Sequence, residues 1–332
     1  MAVKKITENQ KLGTTKLDIV CLGCTVVDSV GVYVDHIPDE GSLALFDRVE
    51  LHLGGCALNA AVGLAKLGLH VGLLAKVGAD GLGDFCANTL ARQGVDIRGL
   101  KRSTSDSTSF SFIMVPKSGN RRILHTLGAN ATFGPKDIDL SLVEGAQWAF
   151  FGGLAITPSL EGRNLASAVK AVKKIGARVA ADTAVNNRFS HADWERMLAP
   201  AYKHFDIFFP SEEEARLITG ESDPETICAT FRKRGVKIAG VKLGDKGSAV
   251  MSEEGFFRVP AYQVKCVDTL GAGDAFMAGM LAGMLLDYTP SRAARLGNAV
   301  AAHCVQAVGA TTGLKPLKEI LAFQKKHGGQ GF

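Results

Sequence analysis

The segment Cys266 to Phe276, CVDTLGAGDAF, sets two carboxylates, Asp268 and Asp274, six residues apart around a glycine-rich turn. Gly271 and Gly273 free the backbone to turn sharply and to present amide N–H groups, while Ala275 to Leu281 continues as an apolar helix. Such a helix start is an anion site. Its first N–H groups lack internal partners and its N-terminus carries about half a positive charge. A phosphoryl group in transfer could therefore rest on the amides of Gly271, Ala272 and Gly273. Asp274 among those amides is a poor phosphate ligand but a suitable base for the hydroxyl that attacks the phosphate. The plainer alternative is a tight loop whose aspartate caps a helix, and the turn taken alone does not decide between the two.

A second glycine-bearing stretch lies far upstream, GGCALNAAVGLAKLG at residues 54–68. Gly54 and Gly55 let the backbone approach a ligand closely before a helix over Ala57 to Lys66. Asn59 is a mediocre helix former, and near the first turn it either caps the backbone or exchanges hydrogen bonds with a polyol. These two stretches, in their order and separation, resemble the C-terminal and N-terminal signatures of the ribokinase-like (PfkB-type) carbohydrate kinases. The similarity runs from about Asp18 to about Gly313. The resemblance implies transfer of the γ-phosphoryl group of ATP to a carbohydrate hydroxyl. Asp274 would be the base, Gly271, Ala272 and Gly273 the anion hole, and Asp28, Gly54, Gly55 and Asn59 the residues that hold the acceptor.

The elements that must position these residues read as an α/β fold: a doubly wound, mostly parallel sheet flanked by helices. Asp18 to Gly23 is a buried strand, and Cys24 to Asp28 brings it to its carboxyl end, where ligands of open α/β sheets bind. Strand-like segments at Val30 to Val34 and Leu43 to Leu53 then interrupt the rhythm, as does a pair at Ser109 to Val115 and Arg121 to Thr126 joined through Pro116 to Asn120. The resemblance makes them a small β-sheet lid, at about 30–53 and 109–127, that excludes water from phosphoryl transfer. Strands and helices alternate from Val71 onward, with strands expected at Trp148 to Phe151, Ala177 to Ala181, Phe205 to Phe209 and Val236 to Leu243. Asp182 and Asn186 fall past a strand end, as sugar contacts or as loop caps. A hairpin over Ala249 to Pro260, a strand into Asp268, and helices at Ala275 to Leu286 and Ser291 to Val308 complete the chain. Residues 1–16 are a polar extension and 17–327 the kinase domain.

Ser211 and Glu214 spell a capping box. Relatives usually carry Asn-x-x-Glu at that place, a motif linked to magnesium and phosphate, so Glu214 is the candidate for holding Mg2+ through water although serine replaces the asparagine. Lys242-Leu243-Gly244-Asp245-Lys246-Gly247 resembles the family's turn beneath the ATP phosphates and ribose, with Lys242, Gly244 and Gly247 as candidate ATP contacts and Asn298 near the adenine. The resemblance also implies a monovalent cation, potassium, held by Asp268 and carbonyls around Ala307 and Gly309. Thr311-Thr312-Gly313 departs from the better-known form of that loop.

Composition agrees with an enzyme of small molecules. Of 332 residues, 46% are apolar and 21% charged, outside the disordered range. The net charge of +5 is spread without a basic run, which argues against nucleic-acid or membrane partners. Seven cysteines without regular spacing make no disulfide framework, and Cys21 and Cys24 lack the second pair that a metal site needs. A cytoplasmic setting follows, since the N-terminus lacks the apolar core of a signal peptide. No GxxxxGK[ST] loop or GxGxxG fingerprint occurs. The acceptor stays open between a sugar and a nucleoside such as adenosine or pseudouridine, and Arg121 and Arg122 meet either an anionic sugar or solvent. A non-catalytic sugar- or nucleotide-binding regulator on the same fold is the rival of another class. Edge strands in a lid invite pairing, so a homodimer through the lid is expected.

Overall fold

The computed structural model describes residues 16–118, 121–184 and 189–327. Asn186, Gly119, Asn120 and the extension up to residue 15 lie outside them. In chain order the strands are β1 (Ile19–Gly23), β2 (Val26–Val32), β3 (Arg48–Gly54), β4 (Val71–Gly78), β5 (Leu100–Ser103), β6 (Phe110–Val115) and β7 (Arg122–Thr126). They are followed by β8 (Trp148–Leu154), β9 (Arg178–Thr183), β10 (Ile207–Phe208), β11 (Ile238–Lys242), β12 (Ser248–Ser252) and β13 (Gly255–Val259).

Nine of them form one sheet in the order β13-β12-β11-β10-β9-β8-β1-β4-β5. The sheet is parallel except for the antiparallel hairpin β11-β12-β13 at one edge. Strand β1 shows why it lies at the centre. Ile19 and Cys21 point into one core and Val20 and Leu22 into the other, all fully buried, as expected of a strand covered by helices on both faces. The first face carries the helices Cys56–Lys66, Ala272–Leu285 and Pro290–Cys304; the second carries Gly162–Lys174, His191–Leu198, Glu212–Thr219 and Pro224–Lys233. Helix Ala272–Leu285 is buried all along from Asp274, which accounts for its unbroken apolar sequence. A Cβ on Gly63 would stand 2.8 Å from Ala278 Cβ, so small residues let helices Cys56–Lys66 and Ala272–Leu285 approach closely. Among the described residues no helix is long and apolar enough to cross a membrane.

The remaining four strands make a separate sheet in the order β3-β2-β6-β7. Here one expectation is corrected. Asp28 does not end the first strand; that strand stops at Gly23, and Asp28 lies inside β2, paired with His52 and Ser111. Gly23 adopts φ +131° against the Gly152 carbonyl, and the Asn130 amide bonds both the N–H and the C=O of Thr25, so the chain leaves one sheet and enters the other there. Likewise Leu43 to Asp47 is not strand, and no strand leads into Asp268. Pro260 lacks the N–H to prolong β13, and the amides of Val267 and Asp268 turn to the carbonyl of Val305. Asp182 belongs to β9 rather than to a loop after it. The outer surface of the small sheet leaves Val49, Leu51 and Leu124 exposed, and Ile123 is exposed on its other face.

Candidate active site

The carboxyl ends of the parallel strands open on one edge of the large sheet, and helix Ala272–Leu285 starts there. Gly271 is its N-cap at φ 76°, and Asp274 is the third residue of its first turn. A side chain on Gly271 would place Cβ 2.5 Å from Ala310 Cβ, so only glycine fits both the left-handed backbone and the close approach. Gly271→Ala is therefore expected to destabilise the protein by about 2 kcal/mol and to shift the helix start, seen as a lower melting temperature together with a lower kcat. Of the three amides proposed for the anion hole, that of Ala272 is shared with Thr269 O at 3.2 Å. Gly273, inside the first turn, has no carbonyl within the helix to bond.

Asp274 is 9% exposed and accepts a hydrogen bond from Asn59 Nδ2 at 2.8 Å. A carboxylate can only accept, so this contact fixes the orientation of the Asn59 amide and leaves its Oδ1 buried and without a partner. Burial pushes the Asp274 pKa up, with Glu214 adding to the shift, while Asn59, Lys242 and the Cys56 thiol pull it back. The structure thus sets a basic carboxylate and an unfilled acceptor atom side by side. Asn59 reaches that place because it lies on the buried face of helix Cys56–Lys66, which packs on helix Ala272–Leu285.

Asp28 faces the same region from β2 and is 7% exposed; burial raises its pKa, opposed by Ser111, His125, His52 and Arg121. The two upstream glycines make room around it. A Cβ on Gly54 would stand 2.1 Å from Asp28 Oδ2, and one on Gly55, at φ +96°, would stand 2.6 Å from Cys24 O.

Lys242 ends β11 with its Nζ 3.2 Å from Asp182 Oδ2 and 3.2 Å from the place a Cβ on Gly273 would occupy. It thus points at the glycine turn that starts helix Ala272–Leu285. Burial opposes its charge, yet Asp182, Glu214 and Asp274 together hold its pKa above the ordinary lysine value. Asp182 is fully buried, accepts from Gly153 N at 3.0 Å, and is pushed up to about 6, chiefly by burial and despite Lys242. Sequence reasoning missed this pair, because nothing local links residues 60 positions apart.

Glu214 closes the capping box. Its Oε2 accepts from Ser211 N at 2.7 Å and from Thr183 Oγ1 at 3.0 Å, and burial raises its pKa. Among the described residues no group of three or more His, Cys, Asp or Glu side chains could hold a metal. Asp268 Oδ1 accepts from Leu270 N at 3.0 Å and Oδ2 from Gly309 N at 2.9 Å, tying the catalytic turn to the loop after helix Pro290–Cys304.

A cleft of about 240 Å³ runs outward from Ala272, lined by Gly244, Ala261, Tyr262, Asn298 and Val305 among others. Its largely apolar walls fit a nucleobase. Asn298 donates through Nδ2 to Val259 O at 2.9 Å and to Pro260 O at 3.1 Å, so it fastens the cleft wall with its amide nitrogen. Gly247 stands behind the wall: a Cβ there would lie 2.2 Å from Val259 O.

A mostly parallel sheet flanked by helices, with a four-stranded sheet beside the strand ends, defines a ribokinase-like kinase fold. The ribokinase of Arabidopsis thaliana, solved with ribose and ATP, matches it with a TM-score of 0.82 at 25% identity, covering 94% of this chain and 99% of that one. A ribokinase of Haemophilus influenzae is 28% identical over 311 residues, covering 92% of this chain and 97% of that protein. An ATP-dependent ribose-1-phosphate kinase of Halopiger xanaduensis is 29% identical over 273 residues, covering 82% and 87%. The pfkB family of carbohydrate kinases matches residues 16–317, and the chain belongs to that family.

Proposed function

We propose that this chain transfers the γ-phosphoryl group of ATP to a hydroxyl of a carbohydrate. The observation that carries the reading is the contact of Asn59 with Asp274, a buried carboxylate next to the unpartnered Asn59 Oδ1 at the start of a helix. An acceptor positioned there donates from its neighbouring hydroxyls to Asn59 and Asp28, while the attacking hydroxyl loses its proton to Asp274 and meets phosphate resting on the helix N-terminus. The amide of Gly273 and the ammonium of Lys242 stabilise charge on the transferring group. The cleft by Ala272 receives the nucleobase, and Gly244 lets the chain turn beneath the nucleotide. Glu214 and Asp182 are the carboxylates that would hold the hydration shell of Mg2+, which neutralises the nucleotide phosphates when bound. In the same reading Asp268 is the side chain that would hold potassium.

ADP release from Mg-ATP over a panel of sugars, sugar acids, sugar phosphates and nucleosides, with and without potassium, tests this. A carbohydrate acceptor abolished by Asp274→Asn supports it. Reaction with nucleosides alone replaces the acceptor class, and binding without ADP release on the whole panel supports a regulator instead.

A further inference from the structure

Between the small sheet and the catalytic turn lies a second cavity of about 300 Å³, distinct from the nucleobase cleft. Its walls are apolar where Val30, Ile113, Val115 and Leu270 line it, and its polar groups include His52, Asp268 and Arg121. Arg121 immediately precedes β7, whose residues are all exposed, yet its guanidinium reaches back over the cavity. There Nη1 stands 3.7 Å from Asp268 Oδ1, an ion pair too long for a hydrogen bond. Asp268 already receives backbone N–H groups on both oxygens. Among the described residues Arg121 makes no hydrogen bond, so the planar fork of five donors at the cavity is unfilled.

The other basic groups there do not compete. His52 Nε2 is turned to Glu50 at 3.1 Å, His125 Nδ1 to Ser111 at 3.1 Å, and burial lowers the His125 pKa, which keeps that ring neutral. Among the described residues that line the cavity, the permanent positive charge is therefore Arg121. A guanidinium fork matches the two oxygens of a carboxylate or a phosphate better than it matches hydroxyls. Asp28 and Asp274 would repel an anion at their own end of the site, whereas at the lid end Arg121 offsets the charge of Asp268, so an acceptor holding its hydroxyl toward Asp28 and Asp274 and its charge toward Arg121 satisfies both ends.

Resting on the kinase reading above, we propose that the acceptor is an anionic sugar, bearing a carboxylate or a phosphate, and that Arg121 binds its anionic group. The test compares acceptors of one carbon skeleton: the neutral sugar, its acid, and its phosphate ester, each with Mg-ATP, for the wild type, Arg121→Lys and Arg121→Met. At least one anionic member is expected to exceed the neutral one about a hundredfold in kcat/KM. Arg121→Met should remove most of that advantage, about thirtyfold through KM, while changing the neutral acceptor less than about threefold. Arg121→Lys should keep part of it. Which of acid and ester profits names the group.

Equal use of neutral and anionic acceptors by the wild type overturns the proposal. So does an equal loss on all acceptors in Arg121→Met, which would make Arg121 a latch of the lid on Asp268. If no acceptor releases ADP, the kinase reading fails separately. Stabilisation of the wild type but not of Arg121→Met by the acid or the ester, followed by thermal shift without ATP, still decides the role of Arg121.

Discussion

Asp274→Asn is expected to lower kcat about a thousandfold, within the range of lost general-base catalysis, with the KM for both substrates within about threefold of wild type. The substitution keeps the shape of the side chain and leaves an oxygen to accept the 2.8 Å bond from Asn59, so the acceptor pocket stays assembled. What disappears is the site for the proton. A neutral amide cannot take it from the attacking hydroxyl, and phosphoryl transfer then depends on positioning alone. A thousandfold corresponds to about 4 kcal/mol of transition-state stabilisation. Steady-state ADP release, with acceptor affinity measured separately by calorimetry, checks the split. A fall below tenfold would remove Asp274 from the role of base, and an equal loss of acceptor affinity would make it a binding residue.

The parts of this site legible in the sequence are those built from neighbours along the chain. The glycine turn, the helix after it and the capping box of Ser211 and Glu214 are local devices; the capping box forms as spelled, while the helix starts at Ala272, three residues before its expected start, and takes Gly273 into its first turn. Helix Cys56–Lys66 begins one residue before its expected start. Asp28 illustrates what is not local. Its surroundings come from β2 pairing with β3 on one side and with β6, more than eighty residues later, on the other. A run of apolar residues ending in aspartate does not say that the chain changes sheets at Gly23. The segment before Asp268 fails as a strand for a similar reason: β13 is the edge of its sheet, and the amides of Val267 and Asp268 find their acceptor in a helix end. Gly54 and Gly55 read as room for a ligand, and they also make room for Asp28 and the chain at Cys24, a demand that no local pattern announces. The nucleotide role of Lys242 is read by analogy with a turn, and that local pattern does not announce its partner, a buried aspartate on another strand.

That partnership leads to the second large effect. Lys242→Met is expected to lower kcat about a hundredfold at pH 8, as for loss of one group that stabilises transition-state charge, and by more at pH 6. The acid trend follows from Asp274. Burial raises its pKa and Lys242 is among the groups that pull it back, so removing the ammonium lets the pKa climb further. The base works only when deprotonated, and activity falls as pH drops through its pKa; in the variant that fall begins at higher pH. Stability should move with pH in the opposite sense. Asp182 loses its cation and, already pushed up to about 6 from 3.8, titrates still higher in the folded variant. A carboxyl whose folded pKa exceeds its unfolded one stabilises the fold while protonated, so that contribution is fully present below about pH 4 and is lost as pH rises through the folded value. The melting temperature of Lys242→Met should therefore lie nearest that of wild type in acid and fall furthest below it above pH 7, by the equivalent of about 3 kcal/mol for an unpaired buried charge. Adding Asp182→Asn should recover much of the stability without returning the acid limb, and Lys242→Arg should keep the limb near its wild-type position. An acid limb of Lys242→Met that coincides with the wild type would show that the ammonium does not act on Asp274, and would leave Lys242 as the counter-ion of Asp182 alone.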